Sequence, residues 1–118
     1  IGMTEDAIVA YKKAIDVNSD YFDANYNLGA LYFNKAVNGI NEANEMWKPR
    51  MSRTEASEQK KLEEDSKAMF VTAKPFLESA FAADNKDVET IRSLKDIYAR
   101  TGEDDKFIEM NNLLKSFQ

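Results

Sequence analysis

The densest run of groups able to move a proton or hold a cation is Glu63-Glu64-Asp65, in a chain of 118 residues. Three carboxylates bind a hard cation only if their oxygens converge on one point, as they do in a calcium loop. These three lie along a stretch of helical character, where neighbouring side chains diverge, and Lys60, Lys61 and Lys67 stand within three or four residues of Glu64. That arrangement reads as weak ion pairing on a solvated face. Histidine and cysteine are absent, which removes the commonest general base, thiol nucleophiles and thiolate metal sites. The four glycines are scattered rather than gathered into a phosphate-binding loop. No catalytic residue, metal site or cofactor is expected, and the chain reads as a non-enzyme.

Charge narrows the partners. A net charge of −5 and a pI near 4.8 argue against nucleic acid, whose phosphates demand a basic face. A hydrophobic content of 43% with 31% charged residues is ordinary for a helical domain. No stretch approaches the roughly 18 apolar residues of a membrane span, and no signal-like segment opens the sequence. The length suits one domain with a modest core.

Spacing supplies the architecture. Leu28 and Tyr32 have counterparts in Leu94 and Tyr98, and an alanine precedes each leucine by 14 residues, Ala14 and Ala80. Further upstream, Ala7 and Tyr11 match Ala73 and Leu77, and a partial copy follows through Gly102, Phe107, Asn111 and Leu114. Gly29 sits between Leu28 and Tyr32 near one helical stripe, where a missing side chain lets a neighbouring helix come close. A self-similar period of this kind marks a helical repeat.

These spacings resemble the tetratricopeptide repeat, a helix–turn–helix unit of about 34 residues. Asn25 and Ile91 stand where that family often has Trp, and Lys95 replaces its Gly. The resemblance implies an all-α solenoid of about five helices. Residues 1–20 would form the second helix of a truncated repeat, with Gly2 in the preceding turn. Residues 21–86 would form a repeat with elongated helices, and 87–118 the final repeat. An opening in mid-repeat reads as a piece of a longer array in preference to a helix that caps the array, since it shows no polar outer face.

The rhythm breaks once. Tyr98 to Phe107 spans 9 residues and Tyr32 to Ala73 spans 41, so the middle repeat carries 32 more. Ala36 stands where the last copy has Gly102, so the first helix should run on through Val37, Ile40, Ala43 and Met46. Pro49 would stop it near 47–51. Ser52-Arg-Thr-Glu55 then reads as a capping box opening a second long helix that carries Ala56, Leu62, Ser66, Met69, Phe70 and Ala73. Pro75 predicts a kink. Asp20 or Ser19 should cap the first long helix and Asp104 the last helix, whose apolar face should hold Phe107, Met110, Leu114 and Phe117. The result is a helical hairpin projecting roughly 20 Å beyond the solenoid.

By resemblance, the concave surface of such arrays holds a peptide or partner protein. Its positions fall on Asp23, Tyr26, Asn27, Ala30, Phe33 and Asn34 in one repeat, and on Glu89, Arg92, Ser93, Asp96, Ala99 and Arg100 in the next. Asp23, Glu89 and Ser93 occupy sites where a carboxylate-clamping member needs cations, so a C-terminal tail clamp is ruled out. Trp47 with Met51 at the arm tip reads either as a staple across the hairpin or as a partner anchor. An alternative role is structural self-association through the apolar N-terminal face. Bacterial members often serve the cell envelope or periplasm, which the resemblance suggests without fixing the compartment.

Overall fold

Close approach between two long helices shapes the chain. The computed structural model describes residues 2–117, with side chains from residue 4 onward. Among these residues it shows α1 (Gly2–Val17), α2 (Phe22–Glu45), α3 (Arg53–Ala83), α4 (Val88–Arg100) and α5 (Asp104–Ser116), and no strand. The all-α repeat-like expectation is met. Gly2 differs from its expected turn role, because it already belongs to α1.

Antiparallel α2 and α3 meet along small residues spaced by sevens. On α2 these are Gly29, Ala36 and Ala43; on α3 they are Ser66, Ala73 and Ala80, with half-buried Gln59 in the same register one step nearer the tip. A seven-residue period keeps one narrow seam facing the partner over many turns. A Cβ on Gly29 would fall 2.7 Å from Leu77 Cγ, and one on Gly39 would meet Ser66. The two glycines therefore mark where the helix backbones lie nearest each other. Ser66 satisfies its own hydroxyl by donating to the Leu62 carbonyl at 2.7 Å, and Gln59 Nε2 donates to the Ala43 carbonyl at 2.7 Å. The seam buries polar atoms without orphaning them.

Local signals set the ends. Ser52 and Glu55 form the expected capping box, each side chain accepting the other's backbone N–H at 3.1 Å. Asp87 caps α4 by accepting the N–H and hydroxyl of Thr90 at 3.0 and 2.6 Å. Two expected caps are corrected. Tyr21 occupies the N-cap of α2 and Glu103 that of α5, neither with a side-chain capping bond. The α1–α2 loop is held instead by Asn25, whose buried amide donates to the carbonyls of Ser19 and Tyr21, each at 3.0 Å. Gly102 turns the chain into α5 at φ 71°, a backbone state that glycine adopts without strain. α3 runs through Pro75 as one helix, with Pro75 and Val71 facing solvent. The Val71 carbonyl that proline leaves unpaired therefore lies on the wet side.

Core packing fills the base of the hairpin. Phe70, Ala73 and Leu77 of α3 are buried against Ile91, Leu94, Ile97 and Tyr98 of α4 and Met110 of α5. Full burial of each large side chain contributes roughly 1.5–3 kcal/mol. The polar side of this junction is also tied. Tyr98 donates to Glu78 at 2.7 Å, and Lys74 pairs with Glu103 at 3.1 Å. Tyr32 stacks on Phe76 with centroids 6.0 Å apart. Two apolar assignments fail: Ala56 is exposed, and Phe117 is exposed rather than packed with Phe107, Met110 and Leu114. α1 is thinly covered; Ala7, Ile8, Tyr11, Ala14 and Ile15 share one face but are only half-buried.

Gly29→Val tests the seam. Its new methyls have no room beside a fully buried Leu77, so stability should fall by about 1–3 kcal/mol. A denaturation midpoint equal to that of the parent chain would show that the helices pack less closely.

Candidate partner-binding surface

Two elements carry the surface named by spacing, and the structure divides its residues among three places. Between α2 and α4 lie Tyr26, Phe33 and Arg100. Tyr26 is half-buried, stacked on Phe22 with centroids 5.7 Å apart. Burial, and then the charges of Asp87 and Glu89, push its phenol above the usual tyrosine range. The N-terminal ends of α2 and α4 therefore share one acidic neighbourhood. Further along, Phe33 meets buried Phe70 edge-on at 5.5 Å, and the Arg100 guanidinium lies 4.5 Å above that same ring. Residues from α2 and α4 thus converge on an aromatic from α3.

The remaining positions point into flanking clefts. Asn27, Ala30 and Asn34 join Thr4 and Tyr11 in a cleft of about 360 Å³ between α1 and α2. Arg92, Asp96 and Ala99 join Lys95, Phe107 and Leu114 in one of about 430 Å³ between α4 and α5. Asp23 is exposed, while Ser93 is half-buried. The charges on α4 are largely spent on one another: Glu89 pairs with Arg92 at 3.0 Å and Asp96 with Arg100 at 2.8 Å. In high dielectric such pairs add little stability, but they leave Tyr26 and Phe33 as the distinctive features of the inner face.

The arm tip is separate. Beyond Phe70, α3 continues toward its N-terminus for roughly 25 Å, paired with the end of α2. Trp47 is 65% exposed, which removes the staple reading; Met51 beside it is half-buried. Lys48 bridges to Glu55 across the turn. That ammonium, followed by the backbone and hydroxyl of Ser52, holds the Glu55 carboxyl at about 2 against an ordinary 4.5.

Sequence spacing missed the junction of Lys74, Glu78, Tyr98, Thr101, Glu103 and Lys106. Lys106 lies 3.8 Å from Glu78 and 3.5 Å from Glu103. The Thr101 hydroxyl, then Lys74, keeps Glu103 below the ordinary carboxylate range. Burial, then the bond to Glu78, pushes Tyr98 above the ordinary tyrosine range. Their signal was charge spaced by three and four around a core tyrosine, which sequence alone does not separate from surface pairing. The network locks the last repeat onto α3. Among the described residues no group of three or more carboxylates is placed to hold a metal ion.

An all-α array of antiparallel helix pairs, with a tyrosine and a phenylalanine half-exposed on its inner helices, has the form of a helical-repeat fold. A family model described as TPR repeat matches residues 2–35, so this stretch is similar to a tetratricopeptide repeat. The matched span covers α1 and the first half of α2, ending before the arm departs. Tetratricopeptide repeats are generally protein-interaction modules and typically not enzymes. No match was found among curated proteins or among solved structures.

The low Glu55 value sets a pH response. A folded value below the unfolded one means that the ionised carboxylate favours the folded state. Its contribution is complete above a pH of about 4.5 and is lost as pH falls through about 2. The gap in thermal midpoint between the parent and Glu55→Gln should close over that window. A gap that stays constant down to the lower limit would assign the cap no ionic part.

Proposed function

We propose that this chain is a non-enzymatic interaction module that binds a peptide or partner protein on its inner face, with the projecting hairpin as a second contact surface. The observation that carries this reading is the inner face between α2 and α4, where Tyr26 and Phe33 remain half-exposed while the neighbouring charges pair among themselves. An aromatic of this kind gives large contact area for two side-chain torsions, which suits a hot spot. The pairs Glu89–Arg92 and Asp96–Arg100 would set register and partner choice more than affinity. A catalytic role would have to do without the commonest general base and the thiol nucleophile, since the chain has neither histidine nor cysteine.

A second reading, assembly through copies of the chain, rests on α1. Its apolar face is only half-buried, and Val9 and Val17 are 51% and 90% exposed. Light scattering separates the two readings, because a monomer mass that does not change with concentration counts against self-assembly.

Peptides selected on the immobilised chain from a random display library provide the direct test. Tyr26→Ala and Phe33→Ala should each weaken the selected peptides about tenfold or more, with helicity checked by circular dichroism. Peptides that bind both variants as tightly as the parent would remove the inner face from the function.

A further inference from the structure

We propose that the occupant of the inner face is a basic peptide segment, with a lysine or arginine at the Tyr26 end and an apolar side chain on Phe33. This inference rests on the inner-face reading and adds the chemistry of the ligand. Tyr26 and Phe33 stand two turns apart on α2, about 10 Å, and both are half-buried. Charge differs between the two ends. From Asn18 to Asn34 the chain carries Asp20 and Asp23 and no lysine or arginine. From Asp84 to Arg92 it carries Asp84, Asp87 and Glu89 against Lys86 and Arg92. Five carboxylates thus outweigh two cations around the N-terminal ends of α2 and α4, and Arg92 is taken up by Glu89. The last turns of α1 and α3, which lead into this end, hold no cation. One turn further along α4, Lys95 and Asp96 balance. Asp20, Asp23, Asp84 and Asp87 form no ion pair among the described residues.

The Phe22–Tyr26 stack lies in this field. Its rings are nearly parallel with centroids 5.7 Å apart, and Asp23 stands three residues before Tyr26, on the same side of α2. The charges of Asp87 and Glu89 reach the Tyr26 phenol and help to raise it above the usual tyrosine range. Elsewhere in the fold, aromatic rings already hold a cation of the chain: Lys95 lies over Phe107, Arg100 over Phe70 and Lys106 over Tyr98. Among the described residues, no lysine or arginine lies over Phe22 or Tyr26. An aromatic face beside unpaired carboxylates attracts an ammonium or guanidinium through both the ring and the charge. An acidic peptide would be repelled at the same place, and a neutral one would leave the carboxylates unused. The Phe33 end differs. Arg100, already paired with Asp96, lies on the Phe70 ring that Phe33 meets edge-on, so this end offers apolar contact without an excess of either sign. Charge here decides which peptides enter more than how tightly they hold.

Two peptide display libraries would be panned on the immobilised full chain, random except for a fixed central residue, arginine in the first and glutamate in the second. The expected result is enrichment from the arginine library alone, with the enriched peptides weakened about tenfold or more by Tyr26→Ala and by Phe33→Ala. Asp23→Asn should weaken them about threefold. Asp105→Asn, which changes the net charge equally but beside the C-terminal end of α4, should leave them unchanged. Glutamate-library peptides that are lost with Phe33→Ala would keep the inner face and overturn the basic occupant. Arginine-library peptides that bind Tyr26→Ala like the parent would overturn it too. So would peptides weakened as much by Asp105→Asn as by Asp23→Asn, since general attraction to an acidic chain would then explain them. Enrichment from neither library would remove the inner-face reading itself, and this proposal with it. The central residue is varied on the peptide, so the comparison of libraries holds even if a variant of the chain misfolds.

Discussion

Backbone contact between α2 and α3 is the constraint from which the rest follows. Small residues at seven-residue spacing on both helices bring them close enough that the Gly29 and Gly39 positions have no room for a side chain. Close packing of this kind gains dispersion contacts along the whole seam. It also explains how a hairpin with few large apolar residues stands as an arm. Leu62 is only half-buried and Ala43 is the last buried residue of α2, so transfer of apolar area contributes little near the tip. The arm is held by proximity, by Gln59 reaching the Ala43 carbonyl, and by its capping box.

The base of the hairpin works differently. There the core is built from large side chains, Phe70 and Leu77 against Ile91, Leu94 and Ile97. The inner face is laid over this core instead of standing apart from it: Phe33 and Arg100 both rest on the Phe70 ring. A partner bound at that face would sit on a rigid platform, which lowers the ordering cost of association. α1 lacks such support, with no fully buried residue on its apolar face. Its stability depends on one neighbour, as expected for a unit in a one-dimensional array.

Much of this was legible in the chain. Repetition of Ala14, Leu28 and Tyr32 as Ala80, Leu94 and Tyr98 located the helix pairs, because each repeat must bury the same face. The missing glycine at Ala36, with Pro49 and the Ser52–Glu55 box, located the arm and its tip. Caps were harder to read. Asp20 and Asp104 are good capping types, yet chain geometry put Tyr21 and Glu103 in those places, and Asn25 took over the loop through contacts six and four residues away. The division of the inner face into a central strip and two clefts was not legible at all. It depends on how α1 and α5 flank the inner helices, and a period of 3.6 fixes a face without fixing what stands beside it.

Paired and unpaired charge distinguishes the two candidate surfaces physically. On the inner face, Glu89–Arg92 and Asp96–Arg100 are complete before any partner arrives. A ligand there must either leave those pairs intact and bind by contact with Tyr26 and Phe33, or replace one member with an equally good one. Affinity would then vary weakly with salt. At the tip, Arg50 and Arg53 are exposed and unpaired among the described residues, with Glu42, Glu45 and Glu58 within about two turns of them, so charge there is close to balanced without being locked into pairs.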